Sequence, residues 1–95
     1  MIDAINTMAT PTAETRVLLI IPVLDERERI ADVVWSAPRD VVDGVLVVDD
    51  GSRDGSAERA REAGAVVISH ASTRGVGAAI RSGIEWARDR GFGIA

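Results

Sequence analysis

Two adjacent carboxylates follow a short apolar segment near the middle of this 95-residue sequence. The apolar segment is residues 45–48, and Asp49-Asp50-Gly51-Ser52 comes directly after it. Carboxylate oxygens accept hydrogen bonds from a base N–H or from ribose hydroxyls, and glycine lets a backbone approach a ligand closely. A plain β-turn with Asp and Ser caps is the alternative, but adjacent acids repel and are not needed to turn a chain. We therefore predict a ligand site at Asp49, Asp50 and Gly51.

A second candidate site is the turn at residues 74–77 (RGVG), which precedes an amphipathic segment. Amide groups at the start of a helix, next to an arginine, suit an anion on electrostatic grounds. The turn does not match a dinucleotide-binding fingerprint, because position 80 is Ile and the turn follows the third apolar segment rather than the first. Helix packing alone is the alternative explanation for its glycines.

His70 has no paired acid in the sequence, so we interpret it as a strand-end loop residue rather than a catalytic base.

Short apolar segments alternate with amphipathic stretches from residue 16 onward, which is the pattern of successive βα units with parallel strands. Asp25 and Glu28 have the spacing of a capping box, so Asp25 is expected to cap the first helix. Both tryptophans, Trp35 and Trp86, are expected to pack against the sheet. We predict strands at 17–23, 45–48 and 65–68, helices before Pro38 and at about 54–63 and 75–90, and a fourth strand beginning at 92–95.

The composition limits the function classes. A hydrophobic content of 46% supports one modest core, and the net charge of −4 argues against nonspecific nucleic-acid binding. The absence of cysteine excludes a disulfide framework, and a cytoplasmic location fits. Residues 1–15 resemble neither a signal peptide nor a membrane anchor, so we expect a flexible N-terminal tail before an incomplete domain at 16–95.

Three segments, in order, resemble the family 2 glycosyltransferases of the GT-A fold: residues 20–26 (IIPVLDE), 47–56 (VVDDGSRDGS) and 74–79 (RGVGAA). The resemblance covers residues 16–95 and is greatest to the dolichol-phosphate mannosyltransferase and undecaprenyl-phosphate sugar transferase group. It implies an α/β, Rossmann-like, three-layer βαβαβα nucleotide-binding half of a GT-A fold, with a mostly parallel sheet truncated in the fourth strand. It also implies inverting transfer from a UDP- or GDP-linked sugar, with a polyprenyl phosphate as the acceptor suggested by the group.

The resemblance also implies roles for individual residues. The nucleotide site after the first strand would be lined by Pro22, Leu24 and Glu26. Either Asp49 or Asp50 would hydrogen-bond the base or ribose beside Gly51, and Arg74 with Gly75 would lie against the diphosphate. Asp25 stands where the family usually has Asn, and Leu24 where an aromatic residue is common, so the identity of the nucleotide stays open.

Other implied parts of the enzyme fall outside this sequence. The Asp-x-Asp motif that would bind Mg²⁺ or Mn²⁺, the acceptor site and any general base are all expected beyond Ala95. We therefore expect no catalytic or metal-binding residue within the chain, no activity from the chain alone, and attachment to the cytoplasmic face of a membrane only through C-terminal parts.

Three other classes of protein share parts of this pattern. A receiver domain of a phosphorelay also ends a strand with an acidic pair, but there the pair closes the first strand and an isolated Asp ends the third. A nicotinamide-binding domain needs glycines after the first strand, where this chain has Pro22 and Asp25-Glu26. A non-catalytic nucleotide-binding module stays open, because half of the implied site is missing.

Overall fold

The computed structural model describes residues 16–92. Three parallel strands alternate with three helices, as the sequence pattern predicts, and the strands lie in the order β1-β2-β3. The predicted N-terminal tail and residues 93–95 of the predicted fourth strand lie outside the described residues. The elements are β1 (Leu18–Val23), α1 (Arg27–Trp35), β2 (Gly44–Asp49), α2 (Ser56–Glu62), β3 (Val66–Ser69) and α3 (Val76–Asp89).

The central strand β2 is buried on both faces, and its side chains alternate between two clusters. Val45 and Val47 pack in the larger cluster with residues of α1 and α2. Leu46 and Val48 pack in the smaller cluster with Ala79 of α3. Helices α1 and α2 therefore cover one face of the sheet and α3 covers the other, which gives the three layers expected. The same alternation directs Asp49 and Asp50 toward opposite faces.

Helix α3 lies unusually close to the sheet because of Gly83. A Cβ atom built on Gly83 would lie 2.6 Å from Cγ2 of Ile20 in β1 and 3.3 Å from Cγ2 of Val48 in β2. Only glycine fits at this crossing without a shift of the neighbouring strand side chains. This contact holds the middle of α3 against the middle of β1.

Two local predictions are wrong. Asp25 does not cap α1, whose N-cap residue is Glu26, because the Asp25 Oδ1 atom accepts a hydrogen bond from the Arg53 amide instead. Trp35, the last residue of α1, is 61% exposed rather than packed on the sheet. Trp86 is partly buried against the smaller cluster, as expected.

Among residues 16–92, no helix combines the length and apolarity needed to span a bilayer.

Candidate functional site

Three loops meet at the carboxyl edge of the sheet, because parallel strands all end on the same side. They enclose a cavity of about 180 Å³ below the N-terminus of α3. Four of its lining residues are among the predicted site residues: Pro22, Leu24, Asp50 and Gly75. The remaining lining residues are Val23, Thr73, Val76 and Ala79. The cavity is therefore an apolar recess with one buried carboxylate, and it opens beside the exposed side chains of Leu24 and Val76.

The side chain of Asp50 accepts three hydrogen bonds at this edge. Its Oδ1 atom accepts hydrogen bonds from Nδ1 of His70 at 2.7 Å and from the backbone amide of Arg74 at 2.9 Å. Its Oδ2 atom accepts a hydrogen bond from the amide of Gly75 at 2.8 Å. The His70 hydrogen bond, followed by that from the Arg74 amide, lowers the pKa of Asp50 below its ordinary value of 3.8. The carboxylate therefore stays ionised at neutral pH and ties the loop before α3 to the end of β2.

His70 lies in the loop directly after β3, as expected, and its ring is paired with an acid that is distant in sequence. Its Nδ1 atom contacts Asp50, and its Nε2 atom lies 2.8 Å from Oγ of Ser82 in α3. The pairing was missed because Asp50 is distant in sequence. The register of the strands explains the pairing. Asp49 pairs with Ser69 between β2 and β3, so the residues that follow them, Asp50 and His70, lie side by side.

Asp49 has a different environment from Asp50, although both are buried. The Asp49 Oδ1 atom accepts a hydrogen bond from the amide of Ser52 at 3.2 Å, which holds the turn that follows β2. Asp50 lines the cavity, whereas Asp49 lies on the α1 and α2 side of the sheet. The two acids thus have separate surroundings despite their adjacency.

Gly51 is needed for a contact within the protein. Its φ angle is +85°, and a Cβ atom there would lie 2.8 Å from the backbone nitrogen of Thr73 and 2.9 Å from the carbonyl carbon of Ser72. A side chain at position 51 would both strain the backbone and push away the loop before α3. The backbone that Gly51 allows to approach closely is therefore that of Ser72 and Thr73 in the same protein.

Residues 50–56, the DGSRDGS segment, hold the start of α1. The Oγ atom of Ser56 accepts a hydrogen bond from the amide of Glu26, and Oδ2 of Asp54 accepts one from the amide of Arg27. Ser52 Oγ likewise accepts a hydrogen bond from the amide of Asp25 at 2.8 Å. The hydroxyl of Ser56 also donates to Asp54 and lowers the pKa of that carboxyl. These contacts align the loop after β1, which carries Leu24, with the loop after β2.

Glu26 lies apart from the cavity. It lines a separate surface hollow of about 370 Å³ together with Asp25, Glu28, Asp54 and the two arginines Arg27 and Arg29.

Arg74 adjoins the cavity through its backbone amide, which donates to Asp50. Within residues 16–92, no group of three or more acidic or histidine side chains is arranged to hold a metal ion.

The sequence pattern that describes glycosyl transferase family 2 matches residues 18–94, which is most of the chain. The chain belongs to glycosyl transferase family 2. This confirms the resemblance inferred from the three segments, and it sets aside the receiver and nicotinamide-binding alternatives. The pattern covers every strand and helix described, including the loops that form the cavity.

Several relatives are similar to this family 2 glycosyltransferase chain. Glycosyltransferase AglJ of Haloferax volcanii is 40% identical over 78 residues, which is 82% of this chain and 24% of the relative. Undecaprenyl-phosphate mannosyltransferase of Micrococcus luteus is 38% identical over 86 residues, covering 83% of this chain and 35% of the relative. Polyprenol monophosphomannose synthase of Mycolicibacterium smegmatis is 34% identical over 93 residues, covering 90% and 35% respectively. The chain spans about a third or less of the length of these relatives.

Proposed function

We propose that this chain is the nucleotide-binding part of a glycosyltransferase that uses a UDP- or GDP-linked sugar. The observation that carries the proposal is the cavity at the carboxyl edge, where Pro22, Leu24, Asp50 and Gly75 come together. Ligands of doubly wound sheets bind outside the carboxyl ends of the strands, where the connecting helices change face. Here α1 and α2 lie on one face and α3 on the other, and the cavity lies between the end of β1 and the start of α3.

Asp50, rather than Asp49, is the acid that we assign to the nucleotide. A carboxylate offers about four acceptor positions, two on each oxygen. In Asp50, Oδ1 already accepts two hydrogen bonds, whereas Oδ2 accepts one from Gly75. One position on Oδ2 is left for a base N–H or a ribose hydroxyl. The apolar side chains of Leu24 and Val76 would cover the adjoining face of the base.

The diphosphate is assigned to the side chain of Arg74. The amides of Arg74 and Gly75, which precede α3, already donate to Asp50, so they are engaged within the protein. The Asp50 carboxylate also occupies the favourable anion position near this helix start. A guanidinium can bind phosphate oxygens through two parallel hydrogen bonds and remains charged at all relevant pH values.

The reaction that we propose for the whole protein is transfer of the sugar, with inversion, to a polyprenyl phosphate. Two relatives have names that specify polyprenol or undecaprenyl phosphate. A phosphate oxygen of the acceptor would attack the anomeric carbon, and the bond from that carbon to the nucleoside diphosphate would break. The attacking oxygen is already anionic near neutral pH, so no base is required. Mg²⁺ or Mn²⁺, part of this proposal, would neutralise the leaving diphosphate through ligands beyond the described residues.

Nuclear magnetic resonance titration with UDP and with GDP tests the binding proposal. We expect chemical-shift changes at the amides of Leu24, Asp50 and Gly75, with a dissociation constant of about 1 mM. Leu24→Ser should weaken the binding, whereas Val33→Ser should not, because Val33 lies on α1 and has the same exposed fraction of 44%. Spectra that do not change with either nucleotide would overturn the proposal.

A further inference from the structure

We propose that His70 is a positioning residue of the nucleotide site: through Asp50 it fixes the loop at Arg74 and Gly75 that forms one wall of the cavity. This inference rests on the proposed function and extends it to a residue outside the cavity lining. Three elements meet at the imidazole ring, since Asp50 ends β2, His70 follows β3 and Ser82 lies in α3. The ring therefore joins the end of β2 to α3, and each of these contributes a residue, Asp50 and Ala79, to the cavity lining.

The orientation of the Asp50 carboxylate is the link between His70 and the loop. The Nδ1–H group holds Oδ1 at 2.7 Å, and this leaves Oδ2 directed at the Gly75 amide and the cavity. Without the imidazole, the carboxylate could rotate about its terminal bond, because two backbone amides of one loop would be its only partners. Both amides belong to the loop whose position is in question, so they cannot by themselves fix the orientation of the carboxylate.

The imidazole is itself held in place from its other side. Oγ of Ser82 lies 2.8 Å from Nε2, and the side chain of His70 is only 8% exposed. Because the ionised Asp50 carboxylate can only accept, the proton of a neutral ring lies on Nδ1, and the Ser82 hydroxyl donates to Nε2. The hydrogen-bond network is complete, since the described residues contain no buried side-chain nitrogen or oxygen without a partner.

The Asp50-His70-Ser82 series has the order of a nucleophile triad, but its surroundings do not suit that chemistry. Ser82 lies in the interior of α3, where backbone amides donate within the helix and cannot form an oxyanion hole. Its neighbour Gly83 packs against Ile20, which leaves no room there for a substrate. His70 also does not line the cavity. The ring therefore acts through Asp50 rather than on a reacting atom.

Substitutions at His70 that retain only one of its two hydrogen bonds provide the test. His70→Asn keeps an N–H donor near the Nδ1 position, whereas His70→Gln places its amide nearer the Nε2 position and His70→Ala removes both. We expect His70→Asn to bind UDP and GDP within a few fold of the wild type. His70→Gln and His70→Ala should bind about tenfold more weakly, the equivalent of one lost charge-assisted hydrogen bond.

Ser82→Ala is the matched control for a purely structural role. It removes the hydrogen bond from Ser82 to His70 but keeps the one from His70 to Asp50. It should lower the free energy of unfolding but leave nucleotide affinity within a few fold of the wild type. Equal losses of affinity in Ser82→Ala, His70→Asn and His70→Ala would overturn the inference, since they would show that only the folding of the network matters.

Measurements without nucleotide separate this inference from the proposed function. The imidazole nitrogen shifts should report a proton on Nδ1, and the amide resonances of Arg74 and Gly75 should move further in His70→Ala than in His70→Asn, since both variants lose the ring but only His70→Ala also loses the hydrogen bond to Asp50. If those amides do not move in His70→Ala, the positioning role is wrong. If they move as expected but the wild type binds neither UDP nor GDP, the positioning stands and the assignment of the site to a nucleotide fails.

Discussion

The Oγ atom of Ser56 lies 2.8 Å from the backbone nitrogen of Glu26 and accepts its hydrogen bond, although the two residues belong to different βα units. The first helix is therefore capped by the first residue of the second helix. The hydrogen bond from Glu26 to Ser56 takes the place of a local cap, since the side chain of the N-cap residue Glu26 caps no amide of α1. It also explains why the DGSRDGS segment is rich in short polar residues beyond its first Asp: they supply hydrogen bonds to the neighbouring loop.

Ser56→Ala should destabilise the fold. Ser56 is fully buried, so its loss leaves the Glu26 amide without a partner, at a cost of about 1–2 kcal/mol in the free energy of unfolding. Ser36→Ala is the control, because its hydroxyl makes an exposed bond to a carbonyl of the preceding turn, and it should change stability by less than about 0.5 kcal/mol. Urea unfolding measures both. Equal effects of the two substitutions would contradict the cross-loop cap.

Stability should fall in acid because of Asp50 and Asp54. Hydrogen bonds from His70 and Ser56, respectively, lower the pKa of these carboxyls below their ordinary 3.8. A group whose pKa is lower in the folded state stabilises the fold above its unfolded-state pKa. That contribution is lost as pH falls below about 3.8 and through the lower folded values. Urea unfolding as a function of pH should show this decline.

Asparagine variants assign the acid sensitivity to particular residues. In Asp50→Asn and Asp54→Asn the titrating group is absent from both the folded and the unfolded states. Each variant should therefore be less stable than the wild type near neutral pH, yet lose less stability between neutral pH and the acid range. A pH dependence that is unchanged in both variants would show that other groups cause the acid sensitivity.

The fold was predictable from the sequence because its signals are local. The apolar segments place each strand within about one residue of its observed bounds, and the βα alternation implies the parallel sheet. Periodicity alone could not say how deeply each residue is buried. The i, i+3, i+4 spacing of Ile30, Val33 and Val34 would place all three on one helix face, but Val33 is 44% exposed, since α1 contacts the sheet along a narrow stripe.

The site was predictable only in part, because its decisive contacts join residues that are distant in sequence. The resemblance implied Pro22 and Leu24, the acidic pair after an apolar segment indicated Asp50, and these three residues line one cavity. Nothing in the local pattern shows that His70 contacts Asp50 or that Gly51 lies under Thr73, since both contacts depend on how two loops meet. The resemblance implied that Glu26 lines the same site as Leu24, but Glu26 lines a separate hollow.

Gly51→Ala should be more destabilising than Gly64→Ala. Both glycines have positive φ angles, +85° and +103°, so an alanine is strained at either position and costs about 1 kcal/mol or more. At Gly64 the new Cβ meets nothing within 4 Å, whereas at Gly51 it meets the backbone at Thr73. Overpacking adds about 1–3 kcal/mol at Gly51. Urea unfolding of the two variants measures the difference, and equal losses would mean that the two loops do not touch there.

Gly83→Ala tests the close packing of α3 on the sheet. Alanine favours a helix over glycine by about 1 kcal/mol, but the new Cβ would lie 2.6 Å from Cγ2 of Ile20. Overpacking of about 1–3 kcal/mol should outweigh the helix preference. Gly77→Ala, in the first turn of the same helix, meets nothing within 4 Å and should not destabilise the protein.

A double-mutant cycle identifies the partner of Gly83. Ile20→Ala removes the Cγ2 atom that the new methyl group would meet, so Gly83→Ala should be less costly, or even favourable, in the Ile20→Ala background. The coupling should be at least about 0.5 kcal/mol, because the two positions are in direct contact. Additive effects of the two substitutions on the free energy of unfolding would show that α3 does not lie against β1 at this point, and the cavity at the start of α3 would then lose its support.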